Sequence, residues 1–224
     1  MTILDDLVPA ARSLVSSGLV AGAGGNVSAR EGDRMWVSPS GFSFEDAGPA
    51  DYPCVSVSTG EVLGGAHRPS SEVLMHLAVY RARPEVDAVV HAHPKMTIAL
   101  CSAGHDLRAL YADYHVYLGH NVPHVDYVTV TTPELAEVVG RHFAAPDCHG
   151  MVLRNHGTIT VGASVKEALF RTHAMEEQAF IQWHALQVGE PAWLTADELA
   201  RLDELGSEEY RRKLLAAMKG GGAA

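Results

Sequence analysis

Hydrophobic and polar positions along this chain change period several times. Residues 4–17 carry apolar side chains at helical spacing, and Gly18 stops that helix. A glycine-rich turn at 22–25 leads into a short strand over 26–30, with 35–38 as its antiparallel partner. Residues 54–58 and 61–63 flank Thr59-Gly60, a hairpin signal. Ser70 or Ser71 caps a helix that runs to about Arg83, where Pro84 ends it. Residues 86–93 form a mostly apolar, buried strand closed by Pro94, and a helix follows to Ala103. Thr132-Pro133 opens another helix with proline at its first position. Residues 151–161 read as a strand segment interrupted near Gly157. Ser164 and Glu167 have the spacing of a capping box and start a long helix ending near Gly189; Thr195 and Glu198 repeat the box for a last helix. Strands mixed with helices, several in hairpin order, predict an α/β domain: a sheet covered by helices.

Length and composition narrow the class. The 224 residues suit one domain, placed here at 1–219, with the glycine-rich 220–224 as a frayed tail. No stretch reaches the roughly 18 apolar residues needed to cross a bilayer, and no basic-then-apolar leader is seen; a cytoplasmic protein with no membrane partner is expected. The formal net charge of −10 opposes nucleic-acid binding, which needs a basic face. It leaves room for a small phosphorylated ligand held by backbone N–H groups and hydroxyls. Cys54, Cys101 and Cys148 are odd in number and far apart, which argues against a disulfide framework and against a cysteine zinc site.

The thirteen histidines carry the sharpest local signal. In Val90-His91-Ala92-His93-Pro94 the two histidines are two apart in a predicted strand, so both imidazoles point to one face and can converge on one ion. Two histidines hydrogen-bonded within a sheet, or exposed on it, would show the same short pattern. A third ligand has to come from elsewhere, and His156, between Asn155 and Gly157 after a strand, is the best candidate. Three protein ligands with an open fourth position is the arrangement of catalytic zinc. His115, His120 and His124 form a competing group; Pro123 disfavours a helix there, and the group reads as structural or substrate-facing. His173 and His184 lie on the long helix, where packing or surface roles are commoner.

Anion-binding features accompany them. Ser70 and Ser71 at a helix start offer hydroxyls, free N–H groups and the positive end of the helix dipole, with Glu72 beside them as a candidate general acid or base. Simple capping accounts for the same residues. Gly24-Gly25-Asn26-Val27-Ser28 and Ser38-Pro39-Ser40-Gly41 are small-residue turns able to cradle a phosphate, though ordinary turn chemistry explains each taken alone. The glycines at 22 and 24 are not a dinucleotide fingerprint, since position 27 is valine.

Taken in order, Gly25-Asn26-Val27-Ser28, Ser38-Pro39-Ser40-Gly41, Pro69-Ser70-Ser71-Glu72, His91-Ala92-His93 and Asn155-His156-Gly157 resemble the class II aldolase and adducin-head family, typified by L-fuculose-phosphate aldolases. The resemblance implies an α/β/α layered domain around a mostly antiparallel mixed sheet, assembled as a homotetramer with sites at subunit interfaces. It implies one Zn2+ per subunit on His91, His93 and His156; a sugar phosphate held by Asn26, Ser40, Gly41, Ser70 and Ser71; and Glu72 as catalytic acid/base. The implied reaction is retro-aldol cleavage of a small ketose 1-phosphate. Epimerase relatives tend to carry aspartate at the position of Glu72, and a decarboxylase branch tends to carry lysine at Ser71; both residues here have the aldolase form. A non-catalytic module like the adducin head need not keep these histidines. Two family tyrosines have no clear counterpart: one falls on Ala112, flanked by Tyr111 and Tyr114, and the other lies near Tyr210.

Overall fold

A computed structural model describes residues 2–218. The 220–224 tail lies outside the described residues. Eight strands form one sheet: β1 (Asn26–Glu31), β2 (Arg34–Val37), β3 (Cys54–Ser56), β4 (Val62–Gly64), β5 (Ala88–Ala92), β6 (His124–Val125), β7 (Gly150–Leu153) and β8 (Gly157–Gly162). Their spatial order is β4-β3-β2-β1-β5-β8-β7-β6. Every neighbouring pair is antiparallel except β6 with β7. The helices are α1 (Leu4–Ser16), α2 (Val73–Ala82), α3 (Lys95–Ser102), α4 (Ala112–Leu118), α5 (Pro133–Phe143), α6 (Val165–Val188), α7 (Ala196–Asp203) and α8 (Gly206–Ala217). The expected mixed α/β architecture is therefore present.

Side-chain parity builds the layers. Along β5, Val89 enters a core shared with Met75, Val79 and Tyr80 of α2 and Leu135, Val139 and Phe143 of α5. Ala88, Val90 and Ala92 enter the opposite core, with Leu7, Ala11 and Leu14 of α1 and Ala168 of α6. A strand buried on both faces reads as an unbroken apolar run, which is why residues 86–93 gave a strand but not its orientation. A third core joins α3, α4 and α6 through Leu100, Leu118 and Met175.

Capping sets the helix ends. The Thr132 side chain accepts from the Leu135 N–H, Ser164 from Glu167 N–H, and Thr195 and Glu198 complete a reciprocal box. The start of α2 differs from the sequence expectation. Neither Ser70 nor Ser71 is its N-cap; Glu72 occupies that position, and the Ser70 hydroxyl accepts from the Glu72 N–H at 3.2 Å. Ser70 thus shapes the turn before the helix and sets the angle at which Glu72 enters it. Near the far end of α5, the buried Arg83 guanidinium donates to the carbonyls of Phe143, Ala145 and Cys148, satisfying acceptors that the helix terminus leaves open.

Candidate metal and sugar-phosphate site

The site is assembled at one end of β1 and β5, on the face covered by α2. Asn26 stands opposite His91 in the β1–β5 register, and Ser28 opposite Val89. His91 follows Val89 by two, so its imidazole lies on the α2 side. His93 continues the parity just past β5, its N–H bonded to the Leu19 carbonyl. His156 is in the three-residue connection between β7 and β8, next to Asn155, which takes φ +60°. Asparagine tolerates that left-handed conformation better than most residues.

Glycines let these segments approach. A Cβ on Gly24 would stand 2.9 Å from His93 Nδ1, and one on Gly25 would stand 2.9 Å from the His91 carbonyl oxygen. Gly25 also has φ +67°. Gly24 and Gly25, which open the segment 24–28 read from sequence as able to cradle a phosphate, therefore pack on the histidine strand.

Three imidazoles and one carboxylate converge. His93 Nε2 is 3.0 Å from His91 Nε2. Glu72 Oε2 is 3.2 Å from His91 Nε2, and Glu72 Oε1 is 3.2 Å from His156 Nε2. All four ligand atoms lie within 4.8 Å of one another. The expected trio His91, His93 and His156 is thus brought together, with Glu72 in the same cluster.

The chemistry of this set fits a metal ion. His91 Nδ1 is 2.9 Å from the Thr158 carbonyl, which can only accept, so Nδ1 carries the proton and neutral His91 presents a lone pair at Nε2. That lone pair faces a carboxylate oxygen and another ring nitrogen. Acceptors crowded in this way need a proton or a cation between them. Three imidazole nitrogens and one carboxylate oxygen are a zinc-type donor set. The cluster is largely out of water: His91 is fully buried, Glu72 is buried, and His93 and His156 are partly buried. Burial pulls His93 down to about 4, which keeps its imidazole in the neutral, ligating form. Burial works to raise the Glu72 carboxyl, but the adjacent imidazoles of His156 and His91 outweigh it and hold it below the usual carboxylate range.

The remaining expected residues lie alongside. Pro39 and Pro69 form an antiparallel bridge, the Ser40 N–H donates to the Arg68 carbonyl, and the Ser70 N–H donates to the Ser38 carbonyl. Ser38 also bonds Val27 through both its N–H and its hydroxyl. The three turns around Asn26, Ser40-Gly41 and Ser70-Ser71 are therefore stitched into one surface. Ser40, Gly41 and Ser71 are exposed on it, while Ser70 and Asn26 are buried. Asn26 has an additional attachment that its sequence context did not signal: its amide donates to Glu72 Oε2 at 2.9 Å.

The competing histidines go elsewhere. His115 and His120 each pair with Asp203 of α7, at 3.0 and 3.2 Å, and tie α4 to that helix. His124 accepts from the Leu107 N–H, as a structural histidine does. Tyr114 is buried in the core between α3 and α6, the Tyr111 hydroxyl donates to the Ala174 carbonyl, and Tyr210 is exposed on α8.

Known proteins resemble this chain in sequence and fold. A 5-deoxy-D-ribulose 1-phosphate aldolase from Bacillus thuringiensis serovar kurstaki is 33% identical over 201 residues, 88% of this chain and 92% of its own. A 5-methylthioribulose-1-phosphate/5-deoxyribulose-1-phosphate aldolase from Rhodospirillum rubrum is 34% identical over 200 residues, 88% of each chain. Among solved structures, an L-fuculose 1-phosphate aldolase superposes with a TM-score of 0.81 at 29% identity, covering 90% of this chain and 94% of its own. The family model described as Class II Aldolase and Adducin N-terminal domain matches residues 5–183, and the chain belongs to that family.

Proposed function

We propose that this protein is a zinc-dependent class II aldolase that cleaves a small ketose 1-phosphate to dihydroxyacetone phosphate and an aldehyde. The observation that carries the reading is the convergence of the His91, His93 and His156 imidazoles and the Glu72 carboxylate, beside a hydroxyl- and N–H-rich surface suited to a phosphate. The names of the relatives support a 5-deoxypentulose 1-phosphate or L-fuculose 1-phosphate as substrate. Cleavage of the former leaves a two-carbon aldehyde.

His91, His93 and His156 would hold the ion. When bound, it supplies Lewis-acid stabilisation of the negative charge that develops as the C3–C4 bond breaks. Ser70, Ser71, Asn26 and the Ser40-Gly41 turn would dock the phosphate and fix C3 within reach of Glu72. Glu72, buried and ionised at rest, would take up the proton that leaves the C4 hydroxyl and deliver it to C3 in cleavage, and would remove it from C3 in the condensation direction. Burial of the carboxylate keeps bulk water from competing for that proton. A homotetramer with sites between subunits accords with the exposed Phe180 and Trp183 on α6. No helix among the described residues is long and apolar enough to cross a membrane, which is compatible with a cytoplasmic enzyme.

The test is product analysis of purified protein with 5-deoxy-D-ribulose 1-phosphate and L-fuculose 1-phosphate, together with metal analysis. Dihydroxyacetone phosphate and one zinc per chain are expected. An epimeric sugar phosphate, carbon dioxide from a phosphorylated sugar acid, or metal-free protein inert to both ketoses would overturn the assignment.

A further inference from the structure

Behind Glu72 runs a line of buried polar groups that leads away from the metal cluster into the core between β1 and α2. Glu72 Oε2 accepts from Asn26 Nδ2 at 2.9 Å. Asn26 Oδ1 meets His76 Nε2 at 2.5 Å. His76 Nδ1 meets the Ser28 hydroxyl at 2.6 Å, and that hydroxyl meets the Tyr80 hydroxyl at 2.8 Å. All five residues are buried, and Ser28 and His76 are 0% exposed. Asn26 and Ser28 share one face of β1; Glu72, His76 and Tyr80 are spaced four apart and share one face of α2. The line is a zipper between one strand face and one helix face.

The direction of every bond follows from its first member. The Asn26 amide nitrogen donates to Glu72 Oε2, so its oxygen turns to His76. That oxygen only accepts, so His76 carries its proton on Nε2. Nδ1 of the neutral ring then has only a lone pair, so Ser28 donates to it. The Ser28 oxygen is left to accept from Tyr80. No member has a choice of donor or acceptor, and burial leaves no water to substitute. Burial pulls His76 down to about 3, in agreement with a ring that stays neutral.

We propose that Asn26, His76, Ser28 and Tyr80 form a positioning chain that fixes the rotamer of Glu72, with His76 as its central element. This rests on the aldolase reading for its consequence but not for its existence. The chain holds and does not conduct: Asn26 interrupts it with an amide, which is a poor carrier of protons. Asn26 has two N–H bonds on one nitrogen, and only one goes to Glu72. The alternative is a polar filling of the core that stabilises the fold and does nothing for Glu72.

Two measurements separate these. In metal-free, isotopically labelled protein, side-chain nitrogen NMR should show His76 as the neutral Nε2–H tautomer from pH 5 to 8. An imidazolium, or the Nδ1–H tautomer, would overturn the bond directions and the proposal with them. This readout needs no activity, so it decides the chain even if no ketose phosphate is cleaved and the aldolase reading falls. In the active enzyme, His76→Phe should lower kcat by about 10- to 100-fold with little change in KM. His76→Gln, which can still donate to Asn26 and accept from Ser28, should recover much of that loss and covers the case in which the Phe variant does not fold. In an Asn26→Ala background the same His76 substitutions should cost little further kcat, because the link to Glu72 is already cut. Losses that simply multiply, or Gln no better than Phe with both proteins folded, would reduce the chain to core packing.

Discussion

Gly157 is in contact with the strand that carries two of the histidines: a Cβ at 157 would stand 2.3 Å from the Ala92 carbonyl oxygen and 2.9 Å from His93 Cδ2. The oxygen is backbone and cannot swing away, so even a methyl group must push β8 off β5 next to both His93 and His156. Gly157→Ala should lower unfolding stability by about 1–3 kcal/mol in urea titrations. It should also weaken zinc affinity about 10- to 100-fold, the range seen when the support of a ligand is disturbed. Unchanged affinity would mean that the ligand positions are set independently of this approach.

The four members of the cluster should separate by function. His91→Ala removes a fully buried ring whose tautomer is fixed by Thr158, and the purified variant should come without metal. Glu72→Gln keeps the shape and all three imidazoles but cannot take up a proton. Zinc should remain bound, while turnover falls on the order of 10²- to 10⁴-fold. Metal analysis and single-turnover kinetics on the two proteins check both outcomes. A full zinc complement in the first, or near-normal turnover in the second, would contradict the roles assigned.

Glu176 of α6 accepts from the N–H groups of Met96 and Thr97 and from the Thr97 hydroxyl, each at 2.9 Å. It caps α3 directly after the His93-Pro94 turn, in place of any local capping side chain. Glu176→Ala should therefore cost about 1–3 kcal/mol, more than the roughly 1 kcal/mol expected for the local cap Thr132→Ala. Denaturant midpoints of the two variants give the comparison. Equal losses would show that α3 is held by its packing on α6 and not by this carboxylate.

These cases show what the chain discloses before it is folded. His91 and His93 are readable because strand parity forces two residues two apart onto one face, and His156 because glycine beside it allows a close approach. Thr132, Ser164 and Thr195 are readable because a local cap acts within three residues. The strand pairing of residues 150–162 was half visible: the interruption near Gly157 is a hairpin turn carrying His156, with Asn155 at positive φ. Helix α4 and the two-residue strand β6 gave no signal; α4 is seven residues of mixed aromatic and polar character, and it is stabilised by tertiary packing. The Asn26–His76 bond joins positions fifty residues apart, and Glu176 caps a helix eighty residues away. Composition and spacing hold no trace of such contacts, because they exist only once the register of the sheet has been set.

The three cysteines should differ sharply in reactivity. Burial pushes Cys101 and Cys148 up to about 12, and both thiols sit in closed cores. At pH 8 such a thiol is ionised to only about one part in 10⁴, and the thiolate is the nucleophile. Cys54, at the edge of β3, is partly exposed; burial raises its thiol as well, opposed by the Arg34 charge. A disulfide reagent at pH 8 should therefore modify one thiol in native protein and the other two only after denaturant is added. Cys54→Ser should abolish the native phase and leave the denatured count at two. Modification of Cys101 or Cys148 at a comparable native rate would mean that the α3–α6 core or the strand β7 end opens far more often than its packing suggests.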